Sequence, residues 1–191
     1  MLFKIYIIKF LKIILSFVFR FDYWHSSPRE NRDYILFSNK IIKLKKNKDY
    51  IADIGCGLGE VTYNIKNSYI DFYDSSSNII RFLKITKFFQ KKNNFYLFDF
   101  KEEQLTKKYD VIVLLNFLHN IDEQFFLERL SNIYFKNLRR YGFLIFDIID
   151  QNKNYKYNHK IKFFLEKNKI KRVFISNKMK FNRRIIIVMK N

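Results

Sequence analysis

Three of the chain's four glycines lie within one short segment, Asp53-Ile54-Gly55-Cys56-Gly57-Leu58-Gly59. The apolar run just before them, Tyr50–Ile54, has the length and composition of a buried strand. Glycine permits a positive φ and lets a ligand approach where a Cβ would clash. Since the whole chain of 191 residues has only 4 Gly and 1 Pro, compositional bias does not account for the cluster. The pattern therefore favours a strand that ends in a ligand-binding bend over a merely structural turn.

Segments with the period of a strand alternate with segments with the period of an amphipathic helix. Helices are predicted at residues 29–48, 60–66, 77–91, 122–139 and 161–168. Strands are predicted at residues 50–54, 69–73, 95–98, 110–115, 143–149, 171–175 and 184–189. This alternation predicts an α/β fold: a doubly wound, mostly parallel seven-stranded sheet with helices on both faces. The last two strands are too close in sequence for a helical crossover, so they should pair antiparallel.

Within the first predicted helix, one stripe of apolar residues is expected to face the core: Tyr34, Phe37, Ile41 and Leu44. The single cysteine excludes an intramolecular disulfide framework. Three scattered histidines and this one cysteine also make a metal site improbable, so no metal is expected.

The charge of the chain is unevenly distributed. There are 37 Lys and Arg against 18 Asp and Glu, a net charge of +19. Residues 1–48 contribute +8, residues 49–150 contribute −1 and residues 151–191 contribute +12. Basic flanks around a neutral centre are typical of contact with phosphate, nucleic acid or an anionic membrane. A lysine-rich codon bias gives the same pattern, and both explanations stay open.

Residues 1–21 are largely apolar but are interrupted by three lysines and Arg20. The longest charge-free stretch, residues 13–19, falls far short of the ~20 residues that a membrane span needs. At 100° per residue the charges and Ser16 share one half of a helix, which predicts an amphipathic basic helix. Such a helix lies on an anionic membrane surface or packs on its own domain. With no cleavage site of a signal peptide, we expect a cytoplasmic protein, with peripheral attachment at the inner membrane face through residues 1–20 as an option.

The spacing of the glycines discriminates between nucleotide-like ligands. A dinucleotide fingerprint, G-x-G-x-x-G, would have its third glycine at the position of Glu60 instead of Gly59. A pyrophosphate would be repelled by Asp53 and Glu60, whereas these carboxylates attract the sulfonium and ammonium groups of S-adenosylmethionine (SAM). No Gly-Lys-Ser/Thr follows, which excludes a Walker A loop. The bend therefore favours SAM.

The segment resembles the first motif, E/D-x-G-x-G-x-G, of the class I SAM-dependent methyltransferases, with every position filled. The resemblance covers about residues 50–149 and implies a Rossmann-like fold with SAM as cofactor. It implies a SAM-binding domain over residues 49–191, preceded by a basic flank over residues 1–48. Residues 141–143 resemble the family's glycine-containing turn before the fifth strand. The implied cofactor contacts in the bend are Asp53, Gly55, Cys56, Gly57 and Gly59, with Cys56 filling space rather than acting as a nucleophile.

The resemblance also implies cofactor contacts after the next three strands. Asp74, with Ser75 beside it, is implied to hold both ribose hydroxyls, because a carboxylate offers two acceptor oxygens. Asp99 and Phe100 are implied to hold the adenine, and Asn116 the methionine part. The alternatives are a helix N-cap for Asp74, a capping or surface role for Asp99 and a turn residue for Asn116.

Two histidines are candidates for the base that a protonated acceptor would require. His119 follows the fourth strand, where the substrates of the family enter, and a capping or hydrogen-bonding role is its alternative. His25 lies beside the only Trp and the only Pro, in a segment that forms a lid over the substrate or an aromatic anchor.

Two absences narrow the acceptor. The place after the fourth strand reads Asn116-Phe117-Leu118-His119, without the Asn/Asp-Pro-Pro-Tyr/Phe pattern of enzymes that methylate nucleobase amines, and no cysteine nucleophile lies beyond the first motif. A small-molecule acceptor, or one linked to a glycan or lipid and methylated on O or N, is the first hypothesis. An RNA methyltransferase acting on ribose or ring nitrogen, with the flanks on phosphate, is the second. A non-catalytic binding protein of this fold is the third.

Overall fold

The computed structural model describes residues 10, 13–20, 25, 29–87, 90–150 and 155–191. The strands are β1 Tyr50–Ile54, β2 Tyr69–Asp74, β3 Asn93–Leu97, β4 Tyr109–Leu114, β5 Leu138–Ile149, β6 Val173–Ile175 and β7 Arg183–Met189. The α-helices are α1 Asp33–Leu44, α2 Ser77–Thr86, α3 Glu123–Asn132 and α4 Ile161–Lys167.

The seven strands form one sheet in the order β3-β2-β1-β4-β5-β7-β6. Strands β1 to β5 are parallel to one another, and β7 is antiparallel to both β5 and β6. The predicted mostly parallel sheet with an antiparallel C-terminal pair is confirmed. The order reverses between β1 and β4, and in open α/β sheets a ligand crevice forms at such a point, outside the carboxyl ends of the strands.

Each face of the sheet is covered by helices over its own apolar cluster. On one face α1 and α2 contribute Ile42 and Leu83, and on the other α3 and α4 contribute Phe126 and Phe164. The central strand β4 is buried on both sides, which explains its continuous apolar sequence. Each fully buried side chain of this size contributes roughly 1.5–3 kcal/mol of transfer free energy.

Helix α1 is shorter than predicted, and of its predicted core stripe Tyr34 is buried and Phe37 and Ile41 pack partly buried against the apolar cluster, whereas Leu44 does not. The predicted helix over residues 29–48 is reduced to Asp33–Leu44, preceded by one 3₁₀ turn at Arg29–Asn31. Leu44, expected inside, is 68% exposed. The buried residues are Tyr34, Ile35, Ser38, Asn39 and Ile42. The polar Asn39 faces inward because its amide Nδ2 donates to the carbonyl oxygens of Val61 and Tyr63, at 2.7 and 2.9 Å.

The helix predicted at residues 60–66 is wrong, because the segment after the glycine bend forms turns. Asn64 and Asn67 have φ values of +56° and +63°, which end any right-handed helix. Two carbonyl oxygens that a helix would have used accept hydrogen bonds from Asn39 instead. That partner lies 22 and 24 residues away in sequence, outside the reach of local periodicity.

Two further helices end earlier than their apolar period suggests. Helix α2, predicted to residue 91, ends at Thr86. Helix α3, predicted to residue 139, ends at Asn132 and continues as a π-helical turn, Ile133–Asn137, directly into β5. The apolar residues of that turn continue the helical period, so the sequence pattern does not reveal that the α-helix has ended before β5 begins.

Gly142 lies inside β5 and not in a turn before it, so this expectation is wrong. The pairing of β4 with β5 shifts between Tyr109 and Val111, and Tyr141 has a φ of +59°. A Cβ on Gly142 would lie 2.7 Å from the carbonyl oxygen of Arg139. The glycine therefore permits a bulge in the strand.

Only part of the predicted N-terminal helix falls on described residues. Residues 13–19 are helical, and Leu15 and Phe19 pack against the apolar cluster beneath α2. The ring of Phe19 stands edge-on to that of Phe82 at 5.3 Å. Among the described residues, no helix has the length and apolarity to cross a bilayer.

We expect Asn39→Ala to lower the free energy of unfolding by about 1–3 kcal/mol, because two buried carbonyl oxygens lose their donor. Urea unfolding followed by circular dichroism measures this loss, with Lys40→Ala, an exposed neighbour on the same helix, as control. Equal stability of the two variants would contradict the role assigned to Asn39.

Candidate active site

A cavity of about 460 Å³ opens at the carboxyl ends of β1, β2 and β4. Its volume lies in the range of small-molecule sites. Nine of the ten predicted cofactor residues line it: Asp53, Gly55, Cys56, Gly57, Asp74, Ser75, Asp99, Phe100 and Asn116. Gly59 does not line the cavity, and its φ of +65° turns the chain against Phe72 of β2.

The glycine bend leaves no room for side chains. Gly55, Gly57 and Gly59 all have positive φ, between +50° and +65°. A Cβ on Gly55 would lie 2.6 Å from the ring of Phe117, and one on Gly57 would lie 2.8 Å from the ring of His25. The bend therefore passes its backbone between two aromatic rings on the cavity wall.

Asp74 joins the end of β2 to the bend. Its Oδ2 accepts a hydrogen bond from the Gly57 amide at 3.0 Å, and its Oδ1 accepts one from the Ser76 amide at 2.9 Å. Each oxygen keeps a lone pair for a ligand hydroxyl. The N-cap of α2 is Ser76, whose Oγ accepts from the Ile79 amide, so Asp74 is not the helix cap.

Asp53 is buried at the foot of the cavity, and its pKa is raised by that burial. Burial raises its pKa to about 7, against the opposing effects of the Thr62 hydroxyl, which donates at 3.1 Å, and of Lys87. Burial also raises the pKa of the Cys56 thiol well above its usual value. At neutral pH Asp53 is therefore poised between its two forms, and a bound cation would favour the carboxylate.

Asn116 is held by a buried ion pair that the sequence analysis did not identify. Arg183 and Asp147 pair in the interior, and the guanidinium lies 4.4 Å from the ring centre of Tyr34. The backbone N–H of Asn116 donates to Asp147 Oδ1 at 2.7 Å. Its side-chain Oδ1 accepts a hydrogen bond from Arg183 Nη2 at 2.8 Å. Because arginine only donates, the Asn116 carbonyl is occupied and its NH₂ group is the one offered to a ligand. That donor suits a carboxylate.

The signals for this ion pair were present in the sequence. Asp147 is a lone acid in the apolar run of β5, and Arg183 begins the last strand. A charge inside a buried strand indicates a partner, but the partner lies 36 residues away.

Aromatic rings form another wall. Asp99 lies two residues beyond the end of β3, and its Oδ1 accepts from the Lys101 amide at 2.8 Å. The buried ring of Phe100 stands edge-on to Phe117, with 5.2 Å between ring centres. Arg129 covers Phe100 at 5.1 Å. This part of the cavity combines a carboxylate with a flat apolar surface.

Glu60, which the sequence analysis counted among the acids that attract SAM, is paired in the structure. Arg32, just before α1, forms an ion pair with it, and both side chains are largely buried on the cavity wall. The attraction for a cation therefore rests on Asp53, Asp74 and Asp99.

The two candidate bases occupy different places. His25 lines the cavity beside Gly57. His119 does not line it, because its ring packs edge-on against Tyr155 at 4.5 Å. Burial lowers the pKa of His119. Among the described residues, no group of three or more His, Cys, Asp or Glu is placed to hold a metal ion.

The strand order, the glycine bend after β1 and the carboxylates after β2 and β3 define an α/β nucleotide-binding enzyme of the Rossmann-like class. A family model described as a methyltransferase domain matches residues 52–144. Comparison with curated protein sequences gave no match.

Solved structures share this fold at low sequence identity. The N-methyltransferase NodS from Bradyrhizobium japonicum, in complex with S-adenosyl-L-homocysteine (SAH), has a TM-score of 0.67 and 11% identity, over 83% of this chain and 86% of that one. Magnesium protoporphyrin IX methyltransferase from Synechocystis, with bound SAM, has a TM-score of 0.61 and 18% identity, over 85% and 79%. An O-methyltransferase family protein from Burkholderia thailandensis has a TM-score of 0.63 and 10% identity, over 84% and 58%. The matched methyltransferase-domain model covers residues 52–144, and the strand order and glycine bend of this chain are of the type found in class I SAM-dependent methyltransferases.

We expect Asp53→Asn to stabilise the ligand-free protein at alkaline pH. The folded protein keeps the Asp53 proton up to about pH 7, whereas an unfolded chain releases it near pH 4. Stability therefore falls as the pH rises through this window, and an uncharged amide avoids that loss. Urea unfolding should show a gain on the order of 2–4 kcal/mol at pH 8 and little gain at pH 4.5. The exposed Asp49→Asn is the control, and a gain independent of pH would contradict the assignment.

Proposed function

We propose that this chain binds SAM in the 460 Å³ cavity and transfers its methyl group to a small-molecule acceptor, or to one linked to a glycan or lipid, on oxygen or nitrogen. The observation that carries this proposal is one cavity that joins the glycine bend to Asp53, Asp74 and Asn116. Codon bias accounts for an excess of lysine and a net charge of +19, but it does not explain why several carboxylates line one cavity. SAM supplies a methyl group activated on a sulfonium, and the protein aligns the acceptor with it.

The described residues fit each part of this cofactor. The lone pairs left on Asp74 match a pair of ribose hydroxyls, and Gly57, whose amide donates to Asp74, adds no side chain beside them. Asp53 provides the charge for a cation, and the NH₂ group of Asn116 provides a donor for the methionine carboxylate. Asp99 and Phe100 offer an acceptor and a ring face for adenine.

The remaining walls favour a small acceptor. They include an apolar and aromatic part formed by His25, Tyr34, Ile35, Phe117 and Ile121, beside the paired Arg32 and Glu60 and the polar Lys101 and Asn120. His25 is the histidine of this wall and is assigned the role of accepting a proton from a hydroxyl or ammonium acceptor. The related folds named above act on different acceptors, so the acceptor has to be identified by experiment.

SAM affinity is expected to weaken as the pH falls through about 7, because protonation of Asp53 removes its attraction for the sulfonium. Asp53→Asn should reduce SAM affinity about tenfold at pH 8 and abolish this pH dependence. The same substitution should reduce the affinity for SAH by less, because SAH lacks the sulfonium. Isothermal titration calorimetry with both ligands measures this, with Asp49→Asn as the matched control.

Gly57→Ala provides a steric test in the same titrations, since the added Cβ would meet His25 and the positive φ is strained. SAM affinity at the wild-type level in this variant, or tighter binding of NAD than of SAM by the wild type, would contradict the proposed site.

Incubation with methyl-labelled SAM and cell extract should place the label in the small-molecule, glycan or lipid fraction. Asp74→Ala should abolish the labelling because the cofactor loses its ribose partner. His25→Gln should slow it, and His119→Gln should leave the rate unchanged if both variants are equally stable. Label confined to RNA would contradict the proposed acceptor class, and no label in any fraction would favour a binding protein without turnover.

A further inference from the structure

The N-terminal helical segment has exposed apolar side chains that do not pack against the core. Within residues 13–19, Leu15 and Phe19 face α2, whereas Phe17 and Val18 are 79% and 68% exposed. Ile14 and Phe10 are also exposed. Leu15 and Phe19 are four residues apart, as are Ile14 and Val18, so the two pairs lie on separate faces of the helix. One face anchors the segment to the protein, and the other presents Phe, Ile and Val to the surroundings.

The surface next to this helix is basic. Helix α2 and the connection to β3 carry Arg81, Lys84, Lys87, Lys91 and Lys92, and residues 77–98 contain no Asp or Glu. Four of these five side chains are exposed, and Lys87 is partly so. Phe19 contacts Phe82 of α2, which brings the exposed apolar face and the basic residues onto one side of the molecule.

A second cavity lies between the turns at residues 62–68 and the end of α2, and Leu15 of the helical segment lines it as well. It has a volume of about 660 Å³, and its walls include Leu15, Ile65 and Phe82 together with the lysines at positions 66, 87, 91 and 92. Leu58 and Glu60 form part of both this cavity and the candidate active site. The basic, apolar side of the molecule is therefore adjacent to the methyltransferase cavity.

We propose that residues 13–19, helix α2, Lys87 and residues 90–93 form a docking surface for an anionic phospholipid bilayer. Exposed apolar residues enter the boundary between headgroups and acyl chains, and surrounding lysines and arginines are attracted to lipid phosphate. Exposed aliphatic side chains such as Ile14, Val18 and Ile85 favour a bilayer over RNA, because they gain from burial in lipid but offer no ring for base stacking. The proposal does not depend on methyl transfer, since docking needs no bound SAM.

Co-sedimentation of the full chain with vesicles tests the surface in the absence of SAM. Vesicles of phosphatidylglycerol and phosphatidylcholine should bind the protein, and vesicles of phosphatidylcholine alone should not. Phe17→Ser should weaken binding at least about tenfold, because burial of a phenylalanine side chain is lost. Arg81→Gln with Lys84→Gln should weaken it about fivefold for each charge removed.

Matched controls lie on α4, on the opposite face of the sheet. Phe163→Ser removes a phenylalanine that is 51% exposed, and Lys162→Gln with Lys167→Gln removes two exposed charges. These variants should bind vesicles like the wild type, and thermal unfolding checks that all variants are folded. Equal losses in the control variants would overturn the proposal, as would equal binding to neutral vesicles. Binding to single-stranded RNA that Arg81→Gln with Lys84→Gln abolishes, without vesicle binding, would overturn it in favour of a nucleic-acid surface.

Discussion

The hydrogen bond from the Gly57 amide to Asp74 Oδ2 sets the geometry of the site. It ties the bend after β1 to the end of β2, so that two neighbouring strands close one side of the cavity. The backbone amide reaches the carboxylate because the glycines adopt positive φ and carry no side chains. The Cys56 amide also donates to the Tyr73 carbonyl oxygen of β2 at 3.1 Å, which joins the same two elements. Behind the bend, where turns follow instead of the expected helix, the Arg32–Glu60 ion pair and Asn39 hold the chain.

Burial of the Asp53 carboxylate in the cavity lowers the stability of the folded protein, and a bound cation would offset this loss. A carboxyl with a pKa near 7 in a buried site is destabilising when it is ionised and unpaired, and Lys87 and Thr62 compensate this only in part. A site built only for stability would hold an apolar residue or an amide there. The retention of Asp53 in a strongly basic chain is understandable if a positive charge binds beside it. The side chain of Asn116 is also oriented before a ligand binds. Arg183 donates to its Oδ1, which leaves the NH₂ group as the donor available to a ligand.

The sequence predicts those features whose conformation depends on residues close to them in the chain. Strands were placed well because a buried parallel strand is a short apolar run with fixed surroundings, as β1 and β4 are. The glycines and Asp74 were found because a local pattern carries them. The helix after the bend was wrong, and Arg183 and Asp147 were missed, because their partners are distant in sequence. Asn39 could not be assigned an inward position without knowing that Val61 and Tyr63 need its amide.

The short segment after the bend links the two sides of the molecule described above. Residues 60–68 form turns, and the second cavity lies beside them, with Leu15 on one wall and Phe82 on another. The N-terminal helical segment thus packs where α2 would otherwise have one flank without a neighbour. Leu58 and Glu60 line both cavities, so the segment after the glycine bend separates the candidate active site from the basic, apolar side of the molecule.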